Sequence, residues 1–266
     1  MNSETPAALE SDAVEAAQAA GRLLKQRFEE KGPLRVEAKG LHDFVTQVDL
    51  DAESVIVTYL RERYPHHAVM SEEASPEAER AGHRWIVDPL DGTTNFIHGV
   101  PTFGVSIAVE DREGLLASAI HHPLRGETFH AHRGGGARLN GAPIACSRPA
   151  DPDESLIATG FPFRELSRLD RYLVAFEAFV RCTAGMRRAG AACIDLAYTA
   201  CGRYDGFWEI GLSRWDIAAG VLLVREAGGT VTDVVGGDSS LETGDIVAAG
   251  AEFHPALLDV TRDAFG

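Results

Sequence analysis

From Trp215 to Ala227 the chain reads Trp-Asp-Ile-Ala-Ala-Gly-Val-Leu-Leu-Val-Arg-Glu-Ala, and Gly228-Gly229 closes the stretch. A helix that is apolar nearly all round has no polar face to give to water, so it has to be buried. Burying it needs a large core. The chain has 266 residues and 45% hydrophobic content, enough for one large domain or two tightly joined subdomains.

Leu9, Ala13, Ala16, Ala17, Ala20, Leu24 and Phe28 recur at helical spacing and predict a long amphipathic N-terminal helix, with Gly32-Pro33 as its stop. Residues 45–48 alternate as a strand would, and 51–64 read as a helix ended by Pro65. Residues 85–87 form a short apolar strand that runs into acidic residues. Strands at 103–109 and 115–122 flank a polar turn at 110–114, and 129–132 with 134–145 continue an antiparallel sheet. Past residue 149 the elements alternate: a strand at 155–159, helices at 166–180, 194–202 and 215–227, a strand at 246–249, and a closing helix at 254–263. Elements that segregate early and alternate late predict an α+β part over residues 1–149 and an α/β part over 150–266. No repeat, low-complexity tract or flexible linker interrupts them.

The 25 basic and 40 acidic side chains give a net charge of -15, and no run of Lys or Arg stands out. A sequence-independent grip on nucleic acid needs such a patch, so no nucleic-acid partner is expected. An acidic chain that acts on a phosphate ester needs cations between itself and its substrate, which fits a metal site. The first residues carry Glu4, Glu10, Asp12 and Glu15 where a leader would be basic and apolar, and no apolar stretch has the length of a membrane span. Cys146, Cys182, Cys193 and Cys201 include no Cys-x-x-Cys pair, so buried free thiols in the cytoplasm are expected.

The densest chemical signal follows the strand at 85–87. Asp88 and Asp91 lie three apart around Pro89, at the end of a buried strand and ahead of a Gly92 turn. Hard Mg²⁺ takes oxygen ligands, so both carboxylates and the Leu90 carbonyl are candidates. The amides of residues 92–95 and the hydroxyls of Thr93 and Thr94 suit phosphate oxygens. An isolated Asp-Gly is ordinarily a turn, and only its surroundings lift this one above that. Other signals have plainer readings. His130-x-His132 has zinc-pair spacing but no third ligand nearby, and reads as a surface strand. His121-His122 reads as a strand end, Gly134-Gly135-Gly136 as a turn lacking the Lys of a nucleotide loop, and Ser167 and Ser213 as helix caps.

Asp88-Pro89-Leu90-Asp91-Gly92-Thr93-Thr94-Asn95-Phe96 resembles the signature of the inositol monophosphatase family, among the lithium-sensitive, metal-dependent phosphatases. Three further segments agree in order: Asp43-Phe44-Val45-Thr46-Gln47-Val48-Asp49, Ser71-Glu72-Glu73 and Trp215-Asp216-Ile217-Ala218-Ala219-Gly220. The resemblance covers nearly the whole chain. It implies a layered α-β-α-β-α fold of the sugar-phosphatase type, a homodimer, and two or three Mg²⁺ ions. Glu72, Asp88 and the Leu90 carbonyl are implied as ligands of one ion, and Asp88, Asp91 and Asp216 as ligands of a second. Glu72 and Thr93, with Asp49 polarising the Thr93 hydroxyl, are implied to activate the attacking water. Substrate contacts are implied at Asp91, Gly92, Thr93, Thr94 and Asp216, and in the second half at Gly190, Ala191, Ala192 and Glu209, with residues 159–163 flanking the pocket. Ser71 departs from the family's glycine, Ala191 stands where many members carry serine, and the stretch 75–84 is short. The implied reaction is hydrolysis of a small polyol phosphate, foremost myo-inositol monophosphate. Histidinol phosphate, fructose 1,6-bisphosphate or a phosphoadenosine nucleotide would use the same catalytic motifs. A binding protein of the transcription machinery on the same fold is the alternative of another class.

Overall fold

The computed structural model describes residues 4–30, 36–40, 43–73, 82–163 and 165–266. The Gly32-Pro33 stop and most of the 75–84 stretch lie outside these residues. Helix α1 (Pro6–Glu30) buries Leu9, Ala13, Ala16, Ala17, Ala20 and Leu24 along one face. Strands β1 (Val36–Gly40) and β2 (Asp43–Thr46) form an antiparallel ribbon, and α2 (Gln47–Arg63) follows directly. The predicted strand at 45–48 therefore ends at Thr46, and the helix begins four residues before 51. The cause is a cap: the Thr46 side chain accepts from the Val48 amide, and Asp49 accepts from the Thr46 amide at 2.9 Å.

Strands β3 (Ala68–Ser71) and β4 (Arg84–Asp91) precede the one-turn helix α3 (Thr93–Ile97). Then come β5 (Gly104–Asp111), β6 (Gly114–His122), β7 (Glu127–His132), β8 (Gly136–Leu139) and β9 (Ala142–Pro143). Strands β3 to β9 make one seven-stranded sheet in chain order, antiparallel except for β3–β4. The second half runs β10 (Leu156–Thr159), α4 (Leu169–Cys182), β11 (Gly185–Arg187), α5 (Ala192–Ala200), β12 (Gly206–Glu209), α6 (Arg214–Glu226), β13 (Gly229–Thr232), α7 (Ser240–Thr243), β14 (Ile246–Gly250) and α8 (His254–Phe265). Its five-stranded sheet has the order β11-β10-β12-β14-β13, parallel around β10 and antiparallel around β14.

The layers are α1 and α2, the seven-stranded sheet, α5 and α6, the five-stranded sheet, then α4 and α8. This is the α-β-α-β-α order that the resemblance implied. Helix α6 buries every residue from Asp216 to Val224 because it lies in the middle layer, with a sheet on either side. It meets α5 closely: a Cβ on Gly220 would fall 2.5 Å from the Leu196 Cβ, so only glycine admits this approach.

Several small readings change. His130 and His132 on β7 lie under α1, where Glu10 accepts from the Nδ1 of each ring at 2.5 Å. The expected surface strand is thus half covered, by a residue 120 positions away. Each imidazole meets a different oxygen of Glu10, so the trio clamps a helix to a sheet. Ser167 sits inside a turn of 3-10 helix and donates to Glu165, and does not cap α4. All four cysteines are free, but only Cys146 and Cys193 are buried. Among the described residues no helix is long and apolar enough to cross a membrane.

Candidate active site

Side chains of a strand alternate between faces, so Asp88 and Asp91, three apart, should point to opposite sides of β4. A bulge prevents this. Asp88 pairs with Ser106 and Asp91 with Gly104, so three steps on β4 match two on β5. Pro89, which has no N–H for the ladder, lies in the bulge, and the extra residue returns Asp91 to the side of Asp88. On the neighbouring strand the Glu72 amide donates to the Val87 carbonyl at 3.2 Å, extending the β3–β4 pairing one step and bringing Glu72 level with Asp88.

Backbone amides fix the acidic side chains. Asp88 Oδ1 accepts from the Leu90 amide at 2.9 Å, Asp91 Oδ2 from the Cys193 amide at 2.6 Å, and Asp216 Oδ2 from the Ser213 amide at 2.7 Å. The second ties the end of β4 to the first turn of α5; the third places Asp216 in the first turn of α6, with Ser213 as N-cap. Thr93 Oγ1 is 2.9 Å from Asp49 Oδ1 and 3.0 Å from the Leu90 carbonyl. Burial pushes the Asp49 carboxyl up, against the pull of its hydrogen bonds from Thr46 and Thr93. Asp88 is pushed well above the usual carboxylate range, first by burial and then by the charges of Glu72, Asp91 and Asp216.

These residues open onto a cavity of about 440 Å³. From the first half it is lined by Glu72, Asp88, Leu90, Asp91, Gly92, Thr93 and Thr94; from the second by Gly190, Ala191, Ala192, Glu209 and Asp216. Every residue singled out from the sequence is there except Asp49, which lies behind Thr93. Of the stretch 159–163, Gly160, Phe161, Pro162 and Phe163 line the cavity, while Thr159 is buried and does not. A Cβ on Gly160 would fall 1.9 Å from Glu209 Oε1, so the carboxylate rests against the Gly160 backbone. The sequence reading gave no role to Asn95, whose Nδ2 donates to the Thr102 carbonyl at 2.7 Å and the Ala189 carbonyl at 2.9 Å. It stitches the two halves of the rim together; its place inside the acidic motif was the available signal.

The donor set fits a hard divalent cation. Four carboxylates and a carbonyl converge, and Asp88 is crowded by three like charges in a buried position that cations would relieve. A second group, Glu4, His67 and His83, also brings ligand atoms within 4.8 Å of one another. There the Trp85 indole donates to His67 Nδ1 at 3.1 Å, which places the imidazole proton on Nε2 and turns it towards Glu4. A metal-binding histidine needs the reverse, its second nitrogen donating, so this trio is a polar contact, with Glu4 at 3.7 Å from His67 Nε2 and 3.8 Å from His83 Nδ1.

The sequence pattern of the inositol monophosphatase family matches residues 7–264. The "Nus factor SuhB" of Pseudomonas aeruginosa is 49% identical over 251 residues, covering 92% of this chain and 93% of that one. The structure of the extragenic suppressor protein suhB from Bartonella henselae superposes with a TM-score of 0.92 at 41% identity, over 96% of this chain and 98% of that one. Inositol monophosphatase from Anabaena (Nostoc) sp. PCC 7120 gives a TM-score of 0.82 at 33% identity, over 96% and 95% of the two chains.

Proposed function

Because this chain belongs to the inositol monophosphatase family, we propose that it is a magnesium-dependent phosphatase acting on a small polyol phosphate, foremost myo-inositol monophosphate. The observation that carries the reading is the convergence of Glu72, Asp91 and Asp216 on buried Asp88 at the floor of one cavity. In this reading Glu72, Asp88 and the Leu90 carbonyl hold one Mg²⁺, and Asp88, Asp91 and Asp216 hold another. Bound there, Mg²⁺ supplies acidity to a water and positive charge to the phosphoryl group in flight. Thr93 Oγ1 gives its hydrogen to Asp49 at 2.9 Å, which leaves its lone pair to accept from the attacking water. Glu72 takes the water's proton, and the water's lone pair then faces phosphorus. The amides of Gly92, Thr93 and Thr94 receive phosphate oxygens at the start of α3. Gly190, Ala191, Ala192 and Glu209 receive the polyol.

Phosphate release from inositol 1-phosphate, histidinol phosphate, fructose 1,6-bisphosphate and a phosphoadenosine nucleotide, with and without Mg²⁺, tests this. Release from inositol 1-phosphate in Mg²⁺, lost in a folded Asp88→Asn variant, is the expected result; full activity in that variant refutes the assignment. The resemblance also supports a lithium-sensitive homodimer, and the partition of strands between the two sheets supports subdomains at 1–149 and 150–266. The free cysteines support a cytoplasmic setting.

A second reading rests on the Pseudomonas aeruginosa relative, whose name is that of a Nus factor. It gives this chain a binding role in the transcription machinery, through protein contacts that its charge of -15 does not oppose. Stoichiometric recovery of such partners from cells, without phosphate release in Mg²⁺, would favour it over the first.

A further inference from the structure

The carboxylates assigned to the second Mg²⁺ come from different elements, Asp88 and Asp91 from β4 and Asp216 from α6. Within α6 Asp216 is fixed, because its Oδ2 accepts from the Ser213 amide at 2.7 Å. The start of α6 is held against the sheet by β5. Ser106 pairs with Asp88 across the β4–β5 ladder, and directly opposed residues point to the same face, here the face that α6 covers. Ser106 is buried, and its Oγ donates to the Trp215 carbonyl at 3.2 Å. Trp215 immediately precedes Asp216. Further along β5, buried Glu110 accepts from Arg84 Nε at 2.6 Å and from Arg214 Nη2 at 2.7 Å. A cation in the first turn of a helix is opposed by the helix dipole, so Arg214 depends on that carboxylate for its place.

We propose that Ser106 is a positioning residue for the second metal ion: by tying the Trp215 carbonyl to the strand position opposite Asp88, it sets the separation between Asp88 and Asp216. The inference rests on the metal-dependent phosphatase reading and deepens it. A serine has one hydrogen to give, and Ser106 gives it to the helix and not to Asp88 beside it, whose Oδ1 accepts from the Leu90 amide. Glu110 and its two arginines hold the helix as a body, whereas Ser106 acts one residue from the ligand itself. Groups that orient a metal ligand in this manner change metal affinity about 10- to 100-fold. The first ion, assigned to Glu72, Asp88 and the Leu90 carbonyl, takes no ligand from α6 and is indifferent to Ser106.

The test reads Mn²⁺ binding apart from turnover, by calorimetry and by electron paramagnetic resonance, in which two ions sharing Asp88 give a spin-coupled spectrum and one ion does not. The wild type is compared with Ser106→Ala, with Ser106→Cys, which keeps the shape but offers only a weak donor, and with Ser118→Ala as a packing control. Ser118 is buried on the same face of the neighbouring β6, and its Oγ has no hydrogen-bond partner among the described residues. The proposal expects Ser106→Ala to lose about 10- to 100-fold in affinity for one ion and to keep the other, so that the coupled spectrum gives way to the single-ion spectrum at Mn²⁺ concentrations that couple the wild type. Ser106→Cys falls between the two, and Ser118→Ala matches the wild type. Unchanged affinities in Ser106→Ala, an equal loss at both ions, or the same loss in Ser118→Ala overturns the proposal. Should Ser106→Ala fail to fold, Ser106→Cys decides on the same criteria. A wild type that binds no coupled pair sinks the two-metal site and the proposal with it, whereas a coupled pair without phosphate release from any ester sinks the phosphatase reading alone and leaves Ser106 to the titrations.

Discussion

Replacing Gly160 by alanine would test how the polyol end of the site is built. The new Cβ would fall 1.9 Å from Glu209 Oε1 and 2.1 Å from Cδ, whereas ordinary contact begins near 3.4 Å. The Glu209 carboxylate must therefore retreat by about 1.5 Å, or the β10 end must move, since two atoms cannot share that space. Gly160 follows Thr159, which pairs with Trp208, so the strand register holds residue 160 beside Glu209 and backbone movement is the costlier response. A displacement of about 1 Å in a substrate-orienting group costs on the order of 100-fold. The assay compares kcat/KM for inositol 1-phosphate with that for p-nitrophenyl phosphate, whose leaving group has no polyol hydroxyls. The ratio should fall by roughly 30- to 100-fold in Gly160→Ala, and Glu209→Asp in the same background, one methylene shorter, should recover part of it. An unchanged ratio in Gly160→Ala would refute the reasoning. Should Glu209→Gln also leave the ratio unchanged, Glu209 does not recognise the polyol.

Two further outcomes concern stability. Burial pulls His122 down to about 4 from an ordinary value of 6.5, and its Nδ1 has no hydrogen-bond partner among the described residues. Below pH 6.5 the unfolded chain takes up this proton and the folded chain does not, so stability falls as pH drops towards 4; His122→Gln should shrink that fall by about 3 kcal/mol in urea titrations at pH 7 and pH 4. An equal fall in both proteins would contradict it. Gly220→Ala should cost about 1–3 kcal/mol, because its Cβ would fall 2.5 Å from Leu196 in the middle layer; an unchanged melting temperature would show that α5 and α6 are not pressed together there.

Much of the fold was legible because its strongest patterns were long. The periodic apolar face of α1 and the apolar circumference of α6 both appeared as helices, and the second proved to be the layer shared by both sheets. Short strands such as β3, β11 and β13 were not legible, since three or four residues carry too little periodicity to distinguish a strand from a loop. The strand drawn at 45–48 failed because alternation over four residues was weighed without the Thr46–Asp49 cap, which redirects the chain into α2. At the site, the residue types announced themselves through one contiguous acidic motif. Their geometry did not: Asp88 and Asp91 share a face only through a bulge whose register depends on β5. The partners of His130 and His132, and the contact of Gly160 with Glu209, are likewise long-range and have no local signature.

The central claim is that four carboxylates from β4, α6 and the end of β3 cage divalent cations over a phosphoryl group. Crystals grown with Mn²⁺ and phosphate, with data collected at the manganese edge, test it most directly. The account predicts anomalous peaks ligated by Glu72, Asp88, Asp91 and Asp216, with Asp88 touching two of them and phosphate beside Gly92 and Thr93. Anomalous density only elsewhere, for example beside Glu4, His67 and His83, with the four carboxylates bare, would contradict it.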